Sequence, residues 1–373
     1  MGDRTKIEWT DATWNPVTGC TRISPGCDHC YIDRSPPFRI ERRRFVKECA
    51  HCSGDGFEPM TGKFRGSHAC SVCSGDGEVA SSEVGASTGV RLHRDRLEIP
   101  LRWRKPRRVF VCSLADLFHD EVSDEYIARV FAVMGLARAH TFQVLTKRPA
   151  RMRALLSSSG FLELVTVAMT RHPGRVTGER LPDMPFPNVW VGTTVENQEW
   201  ADRRIPILLD IPAAVRFLSV EPMLGPVNLC TCYPGGYTFD TFEGPQGHCA
   251  VHGRRVVDWV ICGGESGPGA RPMHTQWVRD LRDECTAASV AFHFKQWGEW
   301  ARTGQVGVGW LPEGSCYGSE IDVPAPAPFT FREILQRVGK RQSGRVLDGR
   351  TWDEYPQEAD AARLSAETDR EGA

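Results

Sequence analysis

From about residue 108 the chain alternates short apolar runs with longer segments of helical period. The runs are RVFVCS from Arg108, TFQVLT from Thr141, NVWVGT from Asn188, VRFLSV from Val215, DWVICG from Asp258 and AFHFK from Ala291. They are rich in Val and Phe, which suit a pleated backbone. Between them, DEYIARVFAVMGLARA and TQWVRDLRDECTAAS repeat apolar residues at the spacing of one helix face. Near-continuous apolar strands separated by helices predict a parallel sheet covered on both faces. Six such strands, plus one near the N-terminus, predict an α/β fold in the form of a partial or complete (β/α) barrel. A doubly wound open sheet is the alternative.

In a barrel, chemistry gathers at the C-terminal ends of the strands. Polar residues stand just past every run: Asp116, then Lys147, then Glu196 with Asn197, then Glu221, Glu265, and finally Lys295 with Gln296. Six in succession, several of them charged, describe a ring of site residues better than ordinary loop polarity does.

The regular pattern divides the chain. Residues 1–33 supply the first strand and a cysteine-bearing loop. Residues 34–90 form a basic, zinc-ribbon-like insertion that ends in the Ser/Gly-rich linker VASSEVGASTG. Residues 91–302 make the barrel body, with a small Cys/His insertion at 228–256. Residues 303–373 form a Gly/Pro-rich extension of weak periodicity, ending in an Ala/Glu/Asp-rich tail whose composition predicts disorder.

Composition sharpens this picture in two places. No stretch approaches the roughly 18 consecutive apolar residues of a membrane span. The opening MGDRTKIEWTD lacks the apolar core of a signal peptide. Both point to a cytoplasmic protein. The formal net charge of −1 gives the whole chain no nucleic-acid signature. The charge is uneven, however, with RIERRR at 39–44 and LRWRKPRR at 101–108 on either side of a cysteine-rich stretch. Such a segment is either a phosphate-binding surface for nucleic acid or a solvated arginine-rich face.

In a reducing compartment the 14 cysteines are metal ligands or buried thiols rather than disulfides. CAHCSGDG from Cys49 and CSVCSGDG from Cys70 form an internal repeat, C-x2-C-x17-C-x2-C, in which Cys49, Cys52, Cys70 and Cys73 offer four thiolates to one zinc. These units resemble the C-x2-C-x-G-x-G repeats in the zinc region of DnaJ-type chaperones. The likeness covers two units and implies a zinc fold, not a chaperone. Cys230, Cys232, Cys249 and His252 offer a second, Cys3His zinc site, with His248 competing for the last place. Cys112, Cys262, Cys285 and Cys316 stand alone and read as small buried hydrophobes.

Cys20, Cys27 and Cys30 differ, because GCTRISPGCDHCY spaces them C-x6-C-x2-C with no fourth cysteine nearby. Three thiolates leave one position open, as a reactive metal centre requires. A [4Fe–4S] cluster held this way presents one iron to a small molecule. If a fourth ligand such as His29 completes the set, the loop is instead a structural metal knot.

The segment WTDATWNPVTGC…SPGCDHCY resembles the start of a family of phage and bacterial proteins of unknown function, known for this three-cysteine motif and of radical SAM-like character. The likeness continues through DLFH at Asp116, LTKRP at Leu145, VGTTVEN at Val191, LSVEPMLGPV at Leu218, GGESGPGARP at Gly263, FKQWG at Phe294 and LDGRTWDEYP at Leu347. It implies a partial (β/α) barrel whose first loop carries a [4Fe–4S] cluster. In radical SAM enzymes the free iron chelates S-adenosylmethionine, and electron transfer then cleaves its sulfonium. Two departures stand out. The ordinary spacing is C-x3-C-x2-C, and the aromatic residue before the third cysteine is here His29, with Tyr31 beyond. The family's GGE follows the second strand, whereas GGESG with Glu265 follows a late one. Where GGE is expected lies SLAD, which places Ser113 and Asp116 near the methionine amino group.

The resulting expectation is a radical SAM-type iron–sulfur enzyme. Ser113, Asp116, Glu196 and Asn197 bind the cofactor, while Glu221, Glu265, Lys147 and Lys295 meet the substrate, a nucleic acid or nucleotide. The rival is a non-catalytic zinc or iron–sulfur protein of phage or mobile-element origin that binds nucleic acid.

Overall fold

The computed structural model describes residues 5–59, 67–74, 76–172, 181–229, 257–302, 318–323 and 331–356. The candidate ligands Cys230, Cys232, Cys249 and His252, the lone Cys316 and the tail beyond residue 356 lie outside the described residues.

Seven parallel strands form one sheet: β1 Ala12–Trp14, β2 Arg108–Val111, β3 Thr141–Thr146, β4 Val189–Thr194, β5 Val215–Val220, β6 Trp259–Gly263 and β7 Ala291–Gln296. They lie side by side in chain order. A doubly wound sheet reverses direction at a switch point; this one never does, so every crossover turns the same way. The helices are α1 Asp124–Leu136, α2 Pro149–Leu156, α3 Ser159–Thr170, α4 Gln198–Leu209 and α5 Thr275–Ala287. Ser123, Ser158 and Asn197 cap α1, α3 and α4 by accepting from Tyr126, Phe161 and Trp200 N–H groups.

Period-two alternation separates two cores. Val109, Val111, Val144, Val191, Leu218, Val260 and Phe292 face the helices. Phe110, Leu145, Trp190, Phe217, Trp259 and Ile261 face the other way and gather on Trp9. Trp9 lies 4.6 Å from the Phe110 ring on β2 and 6.1 Å from Trp259 on β6. In a flat sheet those strands, four places apart, stand about 19 Å from each other. One indole touches both only because the sheet curls into a half-barrel with an aromatic floor.

The floor is completed by the C-terminal extension. Phe294 N–H donates to the Trp352 carbonyl and Glu354 N–H to that of Phe292, along the free edge of β7. Tyr355 then meets Trp259 at 5.1 Å and lies beneath the Arg108 guanidinium at 4.0 Å. The segment 351–356 thus runs from the free edge of β7 across the floor to Arg108, at the start of β2. A three-stranded antiparallel sheet, Trp300–Arg302, Phe331–Arg337 and Gly318–Val323, forms a separate flap. Among the described residues no single helix is long and apolar enough to cross a membrane.

Buried in the floor is His293, whose two ring nitrogens find no hydrogen-bond partner. Burial, then the charge of Arg345, pushes its pKa down to about 4, against the weaker pull of Asp353 and Glu8; Lys295 also lowers it. An imidazole with a depressed folded-state pKa supports folding above its unfolded value near 6.5, and that support is lost as pH falls towards 4. Urea unfolding should therefore show wild-type stability falling between pH 7.5 and 4.5 by about 2–3 kcal/mol more than that of His293→Phe. Parallel profiles for the two proteins would remove His293 from the account.

Candidate functional site

The inward ladder of the sheet leads directly to charge. Counting by twos from the floor residues gives Leu145 to Lys147, Trp190 to Glu196, Phe217 to Glu221, Trp259 to Glu265 and Ala291 to Lys295. All five charged residues therefore crown the concave face at the C-terminal rim.

The three-cysteine loop lies on this rim, in the connection between β1 and β2 where a crossover helix would otherwise run. Ser24 Oγ donates to Glu196 Oε1 at 2.6 Å. His29 Nδ1 lies 3.1 Å from Glu265 Oε2. Tyr31 OH donates to the Ser113 carbonyl. Gly26 packs so tightly that an added Cβ would stand 2.5 Å from Glu196 Cγ and 2.7 Å from Lys147 Nζ. Only a hydrogen fits between loop and rim at that point.

Beneath the loop the charges are paired. Glu196, fully buried, receives Lys147 Nζ and, at 3.0 Å, Arg204 Nη1. Burial opposes its charge, but Lys147 and Arg204 outweigh that and hold its carboxyl below the usual range. Glu265 takes a two-pronged grip from Arg271, at 2.9 and 2.7 Å, and a third bond from the Arg271 N–H. Arg271 also reaches Asp28 at 3.0 Å and the Pro25 carbonyl at 2.8 Å, tying the GGESG loop to the cysteine loop. Asp116 accepts from Phe118 N, Thr146 Oγ1, Lys147 N and Arg148 Nη1. Its carboxylate organises the rim and offers no free oxygen. Ser113 Oγ bonds to Asn15, and Asn197 Oδ1 is used in the α4 cap. Glu221 and Lys295 pair at 2.7 Å and keep part of their side chains open to solvent, 19 % and 15 % respectively.

The thiols sit among these cations. Burial pushes Cys20 up to about 12 and Cys30 up to about 11. Burial also raises Cys27, but the Lys147 ammonium and hydrogen bonds from the backbone of Ile23 and Ser24 outweigh it, holding that thiol below its usual range. Arg148 Nη1 lies 3.8 Å from Cys20 Sγ. The three thiols feel one another's charge. Yet no three donors drawn from this loop, His29 included, lie within 4.8 Å of one another.

The insertion is different. Among the described residues, Cys49, Cys52, Cys70 and Cys73 form the one group of donors that converges to that degree, and all four are buried. Cys49 Sγ lies 3.9 Å from Cys70 Sγ, and Cys52 Sγ 3.7 Å from Cys73 Sγ. A tetrahedron with zinc–sulfur bonds of about 2.3 Å has edges of about 3.8 Å. The Ser-Gly-Asp-Gly repeat explains how each knuckle closes. Gly56 and Gly77, at positive φ, donate N–H to Cys52 and Cys73 sulfurs at 3.3 and 3.2 Å. Their carbonyls accept from Cys70 and Cys49 of the opposite knuckle, both at 2.8 Å. The buried four-cysteine group is suited to a metal such as zinc.

The insertion is also wired to the first loop. Arg22 N–H donates to the Ala86 carbonyl, and Gly85 N–H to that of Arg22. Thr88 exchanges hydrogen bonds with Cys20 through N–H and Oγ1. Ser87 pairs in turn with Val46, three residues from Cys49.

A family profile described as protein of unknown function, DUF5131, matches residues 4–356, which include the rim, the loop and the insertion. The chain belongs to the DUF5131 family. No curated protein and no solved structure matches it.

In this DUF5131 chain the sequence reading missed the cations that organise the rim. Arg148 and Arg271 lay inside the motifs LTKRP and GPGARP but drew no role. Arg204 left a stronger signal: it falls in register with Ala201, Ile205 and Leu208 on the buried face of α4. A charged residue on an apolar stripe asks for a buried partner, and Glu196 is that partner.

Proposed function

We propose that this chain is an iron–sulfur enzyme of radical SAM type, working in a reducing cytoplasm, in which Cys20, Cys27 and Cys30 hold a [4Fe–4S] cluster and Cys49, Cys52, Cys70 and Cys73 hold a zinc. The observation that carries the reading is the spacing of the loop thiols. They lie at the barrel rim, Cys20 beside Arg148 and Cys27 near Lys147, but do not converge as ligands of a single ion must. Thiolates that each bind a different iron of one cluster do not have to meet at a single point. When bound, such a cluster supplies the electron that splits the sulfonium of S-adenosylmethionine.

The residues around it divide the remaining work. Asp116, Glu196 and Glu265 are filled by arginine, lysine and backbone donors, so their part is to fix the loop over the rim. Glu221 and Lys295, partly exposed, place a carboxylate and an ammonium where an amino acid's charged groups would exchange with them. The substrate class we favour is nucleic acid. RIERRR supports it, because it lies beside the cysteine loop: Arg43 bonds to Thr18 and Thr88, while Arg42 and Arg44 are exposed. The second basic run leads into the N-terminal end of β2, at the opposite end of the barrel, and cannot serve the same surface.

The test is turnover. Anaerobically reconstituted protein, reduced with dithionite, should convert S-adenosylmethionine to methionine and 5′-deoxyadenosine, and Cys30→Ala should not. Cluster-loaded wild-type protein that yields neither product would sink the radical SAM assignment.

A further inference from the structure

Arg22 is buried, 6 % exposed, inside the three-cysteine loop. Its Nη1 donates to the carbonyls of Asp28 and Ser82, and its guanidinium lies 4.1 Å over the Phe45 ring. Its Nε–H is buried with no acceptor. Among the described residues no carboxylate pairs with it, whereas Arg148, Arg204 and Arg271 each have one. A buried guanidinium without an anion costs several kcal/mol, and an orphaned N–H adds to that cost. The anion that balances it must therefore come from its surroundings. Its guanidinium already bonds to the carbonyl of Asp28, which stands between Cys27 and Cys30, and the thiolates are the anions this loop can supply there. The other charges around the loop balance, with Lys147, Arg148, Arg204 and Arg271 against Asp28, Asp116, Glu196 and Glu265, so none of these carboxylates is left over for Arg22.

We propose that Arg22 is the fixed counter-cation of the three-thiolate centre: it joins the cysteine loop to the insertion stem and sets the reduction potential of the cluster held there. The inference rests on the iron–sulfur reading. A positive charge held beside an anionic, thiolate-ligated cluster favours the added electron, and its loss disfavours it. Arg22 touches no substrate in this scheme; it is a positioning residue that acts through the loop and through its charge.

The experiment uses the full chain, reconstituted anaerobically, as wild type, Arg22→Lys and Arg22→Met. Midpoint potentials come from an electron paramagnetic resonance titration, iron retention from competition with a chelator, and the fold from circular dichroism and zinc content. Arg22→Met should show a more negative midpoint potential and about 10-fold weaker iron retention, with zinc and circular dichroism unchanged. Arg22→Lys keeps the charge and should keep a potential close to wild type. A wild-type potential in Arg22→Met, or a potential in a folded Arg22→Lys displaced as far as that of the Met variant, would overturn the role of the charge while leaving the cluster in place. A wild-type chain that takes up no iron or sulfide would instead overturn the reading beneath it.

Discussion

Cys27→Ala should strip the chain of its iron and acid-labile sulfide, and of the broad visible absorption that accompanies them, while leaving zinc near one per chain. Cys27 is the one loop cysteine buried as a whole residue, 8 % exposed. It faces Lys147 and is held by Ser24, whose hydroxyl also anchors the loop to Glu196. Two thiols cannot retain a cluster for which three already leave one iron open. The four cysteines of the insertion belong to a separate knuckle pair and keep their geometry. Metal analysis of the paired proteins decides the matter. Equal iron in both would mean that the loop is not the cluster site, and a joint loss of zinc would mean that the two metal sites are not separate.

The second large effect is on stability. Glu196→Ala leaves the buried Arg204 and the partly buried Lys147 without their shared carboxylate. Removing one member of a buried ion pair costs about 3–5 kcal/mol, because the charge left behind stays desolvated. Arg204 keeps the Thr194 carbonyl and its place over the Trp200 ring, but no carboxylate among the described residues. Glu221→Gln, at a partly exposed pair, should cost less than about 1 kcal/mol. Urea unfolding of both variants at neutral pH provides the comparison. If Glu196→Ala unfolds within about 1 kcal/mol of wild type, water reaches the rim and the buried network proposed here is wrong. The contrast also separates roles: Glu265 is buried and braced by Arg271, whereas Glu221 is the carboxylate whose removal tests ligand binding without disturbing the fold.

The strands were legible because burial on both faces leaves an unbroken apolar run. TFQVLT and VRFLSV match β3 and β5 residue for residue, and the other runs differ from their strands by one or two residues. The charged crown was legible too, since residues at strand ends continue the inward parity of the floor. What pairs with what was not. Arg271 finds Glu265 and Asp28 only once the GGESG loop folds over the cysteine loop, and no periodicity encodes that meeting. The floor-crossing segment was hidden for a related reason. Its grip on β7 combines backbone bonds at Trp352 and Glu354 with single side-chain contacts, the Glu354 carboxylate on Phe292 N–H and the Trp352 ring on Phe292, which follow no period, so LDGRTWDEYP reads as a polar loop. Helix α4 carries Pro206 inside it, which obscures its period. The four-cysteine knuckles were the opposite case: Gly54, Gly56 and Gly77 stand at positive φ in tight turns behind a thiolate, so the repeat and its spacing point to the group of four.

The central claim is that the rim loop holds a cluster with one open iron. Electron paramagnetic resonance of the reduced, reconstituted chain tests it most directly, recorded with and without S-adenosylmethionine. The account predicts a [4Fe–4S]1+ signal, absent from Cys27→Ala, whose shape changes when S-adenosylmethionine is added. A wild-type chain that holds zinc alone, with no labile sulfide and no such signal, would contradict it.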